Sequence, residues 1–304
     1  MKSPFFSVII PTFNRAEKLT MCLDSVLTQT FTNYEIVMID NGSTDNTEKM
    51  ILEKYGDSII RYYWQKGSGS PANPRNQGIR KARGGWVSFL DSDDVWYPEK
   101  LESVFDEIQT QSDVDVICHN EMLCDKMNQK TKNISHVRIA NDLYKSMLLE
   151  GNCLSPSATT IKKSFLTKKE LLFNESPDFA IVDDYDLWLR MAKNGATFTF
   201  IDKTLGDYVV DGGNMISDWG KYIKNLEYLY KYHAFYVQNF EPNKGKVYNK
   251  LIANIHFQRL KNALKEKKYT EMIYELSQIL HKSPTLLPKK LISKITFALS
   301  PVIH

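Results

Sequence analysis

The sequence is sparing with cysteine, and the four thiols it has follow no ligand pattern. Cys22, Cys118, Cys124 and Cys153 form no CxxC pair and stand at no metal-ligand spacing with a histidine, which argues against zinc and for reduced thiols in a cytosolic protein. No apolar run approaches the roughly 20 residues needed to span a bilayer. The chain passes from Met1 almost directly into a strand-like Phe6–Ile10, without the basic region, apolar segment and cleavage site of a signal peptide. The expectation is a soluble protein that at most lies on a membrane. There is no internal repeat and no low-complexity segment.

A strong charge of one sign is also missing overall, since 39 Lys and Arg face 36 Asp and Glu for a net +3. That balance conceals a split. From Phe240 to His304 there are twelve Lys or Arg against four Glu, a local +8, which leaves the first 239 residues at −5. The tail is therefore a separate electrostatic object. With 304 residues, 42% hydrophobic and 25% charged, the chain is neither disordered nor fibrous, and its length suits one large domain plus a smaller one.

What is present is an alternation of short β-rich runs and amphipathic helical patterns over the first hundred residues, the signature of a parallel sheet with crossover helices. Ser7–Ile10 reads as a strand, and Leu19, Cys22, Leu23, Val26 and Leu27 recur at helical spacing. Glu35–Asp40 reads as a second strand, followed by turn and N-cap candidates at Gly42–Asp45 and a helix to about Tyr55. Further strands are expected near Ile59–Trp64 and Trp86–Asp91, separated by a flexible loop Gly67–Asn76 and a short basic helix Asn76–Arg83. The apolar run Val114–His119 completes a half-domain of about 120 residues. Glu121–Ala140 reads as loop or hairpin. Regularity returns with Ala158–Lys162, a helix Asp183–Asn194 capped by Gly195, a strand Thr197–Ile201, and helix from Trp219 almost to the end.

In open α/β sheets ligands bind outside the carboxyl ends of the strands. Here those ends read Pro11-Thr12-Phe13-Asn14-Arg15, Asp40-Asn41-Gly42-Ser43 and Asp91-Ser92-Asp93-Asp94, so polar and acidic groups gather at one rim. Asp40 and Ser43 also suit plain turn and capping chemistry. Three carboxylates within four residues, directly after an apolar strand, repel one another unless a cation sits among them. An all-oxygen cluster of that kind suits Mg2+ or Mn2+, which keeps positions open for substrate phosphates.

The segments SVIIPTFNR, IDNGSTDNT, PRNQGIRKARG, FLDSDD and DDYDLWLRM occur in the order and spacing of the inverting family-2 glycosyltransferases, of bacterial surface-polysaccharide type, which the chain resembles over roughly residues 5 to 215. The resemblance implies a GT-A fold: α/β, Rossmann-like, with a mixed, mostly parallel sheet flanked by helices and a helical C-terminal appendage. It implies a catalytic domain over 1–217, divided into a nucleotide-binding half (1–120) and an acceptor half (121–217), with a helical basic region over 218–304. It also implies transfer of one sugar from a nucleoside-diphosphate sugar, a UDP-sugar foremost, to a hydroxyl of a glycan or lipid-linked oligosaccharide, with inversion and with Mn2+ or Mg2+ as cofactor.

Carried over by position, Pro11, Thr12 and Asp40 resemble the residues that hold the nucleotide base. Asn76 with Arg75 resembles the segment against the nucleotide and diphosphate, and Gly78 the point of close backbone approach. Arg75 could equally be a surface charge. Asp91 matches the position facing the ribose and Asp93 the metal-binding carboxylate. Asn14, Arg15, Asn41 and Ser92, beside them in the same motifs, are carried over as donor-binding residues. Asp184 stands where the family has its catalytic base, with Asp183 in place of the usual glutamate; acids in a first helical turn are also favourable in themselves. Leu187, Trp188 and Met191 read as core.

One departure stands out: Val209 and Asp211 occupy positions where the family often shows Arg and a metal-binding His. Asp211 is then either a carboxylate ligand or a turn residue before Gly212-Gly213. The rival readings are a sugar-nucleotide pyrophosphorylase, a paired-carboxylate hydrolase and a catalytically silent sugar-nucleotide-binding module. The first lacks its Gly-rich phosphate loop with a basic residue near the N-terminus, the second would not need the donor motifs, and retained Asp93 and Asp184 oppose the third. Neither a metal-thiolate site nor a nucleic-acid partner is expected. The basic tail, with apolar stripes at Leu251, Ile252, Ile255, Leu276, Ile279 and Leu280, is first a helical appendage packed on the catalytic domain and second a peripheral attachment to anionic lipid at the inner face of the cell membrane. Lys289, Lys290 and Lys294 are the residues expected to meet that lipid.

Overall fold

The structure, a computed structural model, describes residues 3–56, 59–125, 127, 129–210 and 218–284. Asp211, Lys289, Lys290 and Lys294 lie outside the described residues. Two compact units are distinguished: one runs to Met147 and resumes from Asn152 to Trp219, and the other comprises Leu148–Gly151 and the chain from Gly220.

Among the described residues the first unit is built on a nine-stranded mixed sheet. Its nucleotide half is a parallel run in which β1 (Phe6–Thr12) lies between β2 (Tyr34–Asp40) and β4 (Trp86–Phe89), with β3 (Ile60–Trp64) beyond β2. All seven residues of β1 are buried, as a parallel strand covered on both faces requires. Phe6, Val8 and Ile10 meet Leu19, Cys22, Leu23 and Val26 of α1 (Leu19–Leu27), Ile51 of α2 (Thr47–Tyr55), and Leu101 and Val104 of α4 (Lys100–Thr110) in one core cluster. Ile9 points to the opposite face, where α3 (Ala72–Lys81) lies over β1 and β2.

The α3 helix starts four residues before the expected Asn76, inside the segment whose composition reads as a loop. Pro71 precedes it and Pro74 falls in its first turn, where a missing N–H breaks no helical hydrogen bond. Proline there marks a helix start.

Beyond β4 the pairing changes sense. The strand β8 (Thr159–Lys162) runs antiparallel to both β4 and β6 (Val116–Asp125), and β9 (Phe198–Val210) runs parallel to β6. The short β5 (Val95–Trp96) pairs antiparallel with β9. The stretch after Glu121 is a hairpin, β6 turning into β7 (Lys130–Ile134). Between sheet elements lie α5 (Leu143–Glu150), α6 (Lys163–Lys168) and α7 (Asp183–Lys193). Leu187, Trp188 and Met191 of α7 are fully buried. The arrangement is the α/β, Rossmann-like sheet flanked by helices that the motifs imply.

The second unit contains α8 (Trp219–Tyr232), α9 (Lys244–Glu266) and α10 (Tyr269–Lys282). Leu260, Ala263, Met272 and Ile279 form its core between α9 and α10, and Leu280 faces outward. A buried His256 Nδ1 to Glu275 Oε2 contact of 2.6 Å ties the same two helices. Among the described residues no helix is long and apolar enough to cross a membrane.

Candidate functional site

The carboxyl ends of β1, β2 and β4 open on a cavity of about 600 Å3 within the first unit, a size that suits a small organic ligand. Pro11, Thr12, Phe13, Arg15 and Asn41 line one side, Arg75 and Asp91–Asp94 the floor, and Asp183 and Asp184 the opposite side.

Two loops fix the β1 end. Asn14 N–H donates to Ser43 Oγ at 2.8 Å, Thr44 N–H to Asn14 Oδ1 at 2.8 Å, Arg15 N–H to Thr47 Oγ1 at 3.3 Å and Ala16 N–H to Asp45 Oδ2 at 3.2 Å. Asn14 has φ of 50°, a left-handed conformation that asparagine adopts more readily than most residues. The side chain of Asn14 thus belongs to this interlock and is absent from the cavity wall. Thr12 Oγ1 is buried and has no hydrogen-bond partner among the described residues. A buried hydroxyl left without a partner is costly, so this one, on a cavity wall, marks a place for a ligand's polar atom.

Asn41 lines the cavity while Gln65 Nε2, Ser68 N–H and Ser68 Oγ all donate to its Oδ1, which moors the loop that follows β3. Asp40, carried over as a base-holding residue, is held by neighbours at the end of β2. It is fully buried, with Oδ1 accepting from Ser43 N–H at 2.7 Å and Oδ2 from Tyr62 O–H at 2.6 Å, and it does not reach the cavity wall.

The acidic segment after β4 does not act as one cluster. Asp91 Oδ1 accepts from Arg75 Nη2 at 2.7 Å, Asp93 Oδ2 from Arg15 Nη2 at 3.4 Å, and Asp94 turns inward to Ser157 Oγ and Val209 N–H at 2.5 and 2.9 Å. Burial, with Asp93 and Glu121 nearby, pushes the Asp94 carboxyl well above the usual carboxylate range. Asp91 and Asp93 have arginine partners, whereas Asp94 still feels the charge of its acidic neighbours. All four residues of Asp91–Asp94 line the wall.

Arg75 is neither a surface charge nor an unengaged anion-binding cation. Its guanidinium is buried, bridges Asp91 and Asp183, the latter through Nη1 at 3.1 Å, and stacks 5.4 Å from the Phe173 ring. Asn76 next to it is fully engaged: its Nδ2 donates to Phe173 O and Glu175 Oε1, and its Oδ1 accepts from Phe173 N–H, all within 2.8–2.9 Å. With every amide group engaged, Asn76 secures the segment leading to α7. At Gly78 a Cβ would stand 2.3 Å from Ile9 Cγ2. Its close approach is to β1, so it allows helix–sheet packing.

At the head of α7 the two acids differ. Asp183 is buried and paired with Arg75, while Asp184 is half-buried, accepts from Tyr185 N–H and has a long 3.4 Å contact from Asn152 Nδ2. Burial raises the Asp183 carboxyl to about 7 and the Asp184 carboxyl to about 6, Arg75 opposing both shifts. A carboxyl poised near neutrality at a cavity suits a general base.

The far wall carries residues that the sequence reading did not single out, among them Glu121, His136, Asn152 and Tyr208. His136 Nδ1 lies 2.9 Å from Cys153 O and Nε2 lies 2.9 Å from Glu121 Oε2. Both ring nitrogens therefore face acceptor oxygens. No local signal marked the pair, since it is assembled from Glu121 of β6 and a residue just past the end of β7 in a weakly patterned stretch.

Hard oxygen donors at Asp91 and Asp93 suit Mg2+ or Mn2+. Six carboxylates line the cavity against Arg15, Arg75 and His136, an environment that favours a further cation. Among the described residues no three His, Cys, Asp or Glu are grouped as a closed cage. A cation at Asp93 would therefore take additional oxygens from a ligand.

A sequence-family model described as glycosyl transferase family 2 matches residues 7–181. A glycosyltransferase of Rickettsia typhi is 32% identical over 203 residues, covering 64% of this chain and 61% of that protein, so the matched chain spans less than two thirds of that relative. The amylovoran biosynthesis glycosyltransferase AmsB of Erwinia amylovora is 26% identical over 251 residues, 80% of each chain. Among solved structures, S. aureus TarS 1-349 in complex with UDP-GlcNAc matches with a TM-score of 0.67 at 20% identity, covering 98% of this chain and 86% of that one. The mannosyltransferase PcManGT of Pyrobaculum calidifontis, in complex with GDP-Man and Mn2+, gives 0.61 at 16% identity, covering 100% and 82%. At those identities the likeness is one of fold.

Proposed function

The chain belongs to glycosyl transferase family 2, and on that premise we propose that it moves a single sugar from a nucleoside-diphosphate sugar, a UDP-sugar foremost, to a hydroxyl of a glycan or lipid-linked acceptor, inverting the anomeric configuration. The observation that carries this reading is the single cavity shared by Pro11–Phe13 and Asn41, by Asp91–Asp93, and by Asp184. It provides for base and ribose, for diphosphate, and for an acceptor hydroxyl in that order. TarS, solved with UDP-GlcNAc, and PcManGT, solved with GDP-Man and Mn2+, support a nucleotide-sugar donor.

On the donor side, the unpartnered Thr12 hydroxyl and the exposed Phe13 ring receive the nucleoside. Asp93, with Asp91, would hold a divalent cation. When bound, such an ion neutralises the departing diphosphate as a Lewis acid, worth several kcal/mol in transition-state charge stabilisation. Asp184 takes the proton of the acceptor hydroxyl as its oxygen bonds to the anomeric carbon, and the bond from that carbon to the diphosphate oxygen breaks, leaving its electron pair on the diphosphate. General-base assistance of this kind contributes about 10²–10⁴-fold. Attack on the face opposite the leaving group inverts the centre in one displacement. Arg75 orients the pair of acids by holding Asp183, which leaves Asp184 the one with an accessible carboxylate.

The test is a panel of nucleotide sugars with and without Mn2+, read by thermal stabilisation and then by release of nucleoside diphosphate in the presence of glycan acceptors. Metal-dependent stabilisation by one donor, followed by turnover, is the expected result. Stabilisation with no transfer or donor hydrolysis under any acceptor would reduce the protein to a binding module. The +8 balance of residues 240–304 supports attachment to an anionic membrane beside a lipid-linked acceptor, tested by salt-sensitive sedimentation with anionic but not neutral vesicles.

A further inference from the structure

Glu121 is a buried carboxyl, 1% exposed, on the far wall of the cavity. It pairs with Ile134 across the β6–β7 hairpin, and His136 follows two residues later, which brings the imidazole Nε2 to 2.9 Å from Glu121 Oε2. The other oxygen is poorly served. Ser155 Oγ donates to Glu121 Oε1 across 3.3 Å, whereas a hydroxyl bond normally spans about 2.5–3.0 Å. A carboxylate accepts at about four lone-pair positions, and burying one is costly unless those positions are used. One good bond leaves capacity for a further donor from the cavity.

The neighbours of Glu121 define what that donor belongs to. The segment 152–155 touches both acids of the far side, since Asn152 Nδ2 reaches Asp184 Oδ2 and Ser155 Oγ reaches Glu121. Burial, and then the charges of Asp94, Asp91, Glu121 and Asp93, raise the phenol of Tyr208, which is also on the wall and so is close to Glu121 and to the acidic segment alike. Glu121 is thus flanked by the carboxylates read as the diphosphate side and by the acid read as the base. A single displacement puts the anomeric carbon between the departing diphosphate oxygen and the attacking hydroxyl, so the ring of the transferred sugar occupies that interval.

We propose that Glu121 is a specificity-determining residue that accepts a hydrogen bond from a ring hydroxyl of the transferred sugar, with His136 as the positioning residue that holds its carboxylate. The inference rests on the reading of the cavity as a nucleotide-sugar donor site. A carboxylate only accepts, so it favours a hydroxyl, which donates, over a deoxy centre at the same ring position. The analogue without that hydroxyl is rejected because the protein oxygen is then left buried and unpaired. His136, fixed in turn by Cys153 O at 2.9 Å from Nδ1, keeps the carboxylate from turning away.

The experiment measures calorimetric affinity for UDP, UDP-glucose, UDP-galactose and UDP-GlcNAc with Mn2+ and no acceptor, so that no acceptor sugar enters the reading. The tightest donor is then compared with its monodeoxy analogues in the wild type, Glu121→Gln, Glu121→Asp, His136→Ala and His136→Gln. In the wild type one monodeoxy analogue should lose about 10- to 100-fold in affinity, the range for a hydrogen bond to a charged group. Glu121→Gln and Glu121→Asp should lose a similar factor with the parent sugar and no longer distinguish it from that analogue, while UDP binds as before. His136→Ala should weaken the same discrimination and His136→Gln, which keeps a donor toward Glu121, should restore it; a merely structural role would weaken UDP as well. A wild type indifferent to every monodeoxy analogue, or a Glu121→Gln protein that discriminates them as the wild type does, overturns the sugar contact and leaves the donor reading standing. Unchanged donor affinities with a raised KM for an acceptor glycan overturn the assignment to the transferred sugar. If no nucleotide sugar binds the wild type, the donor reading falls and this inference with it.

Discussion

Arg75 and Asp183 are 108 residues apart in sequence and 3.1 Å apart in the structure. Their pairing joins α3 to α7, the helix that carries the proposed base, and the second Arg75 contact, to Asp91, extends the link to the cavity floor. Arg75→Leu would leave Asp183 buried without its partner, a change that typically costs about 3–5 kcal/mol. Chemical denaturation should read that loss. Arg75→Leu combined with Asp183→Asn should recover part of it, because the uncompensated charge is then gone; no recovery would mean that Arg75 acts through packing on Phe173.

Asp184→Asn keeps the shape of the side chain and removes the proton acceptor. Transfer should fall by two orders of magnitude or more while donor affinity, measured calorimetrically, stays within about twofold. Near-normal turnover would move the base to Asp183.

The pH dependence of activity follows from the same group. Asp184 titrates at about 6 in the folded protein, raised chiefly by burial, and only its ionised form accepts a proton. The value of kcat/KM should rise about tenfold per unit below pH 6 and flatten above it. Arg75 holds this value down, so in any Arg75 variant that folds the acid limb should shift to higher pH.

Stability should run the other way over part of that range. Asp183 titrates at about 7 in the folded chain against an ordinary value of 3.8. Between those values the folded state binds more protons than the unfolded one, so this group's contribution to stability falls as pH rises from about 4 to 7. Thermal denaturation across that window should show a smaller decline in Asp183→Asn than in the wild type.

Gly78→Ala tests packing against ligand approach. The added methyl would meet Ile9 Cγ2 at 2.3 Å, and overpacking of this kind typically costs about 1–3 kcal/mol. Lower stability with donor affinity preserved in the folded protein is expected. Unchanged stability with weakened donor binding would return Gly78 to the ligand.

The parallel half of the sheet was legible because β1, β2 and β4 are buried runs flanked by helical periodicity, a signal contained in each segment. The start of α3 was not, since Pro71 and Pro74 look like loop residues until the missing N–H groups are seen to fall where a helix has no use for them. The strand β9 continues past the expected Ile201 to Val210; Thr204 and Asp207 pair with β6 and β5, while Asp202 and Lys203 fall where the register with β6 shifts. At the cavity, the acids were legible as types, and Asp93 and Asp184 stand on its wall. Their partners were not: Asp40 is engaged by Tyr62, Asn76 by Phe173 and Asp94 by Val209, contacts that arise only when distant segments meet. Glu121 and His136 left no local trace for the same reason.

The interlock between residues 14–16 and 43–47 has a consequence for exchanging parts among relatives. Four hydrogen bonds cross it, and each runs from a backbone N–H on one loop to a particular side-chain acceptor on the other. The two loops are one inheritable cassette although they are separated by a helix and a strand. A chimera that imports either loop alone from a relative with different side chains would lose the cross-bonds and misdirect Arg15, whereas importing both together would carry the geometry intact. Donor preference in this scaffold should therefore be grafted in pairs.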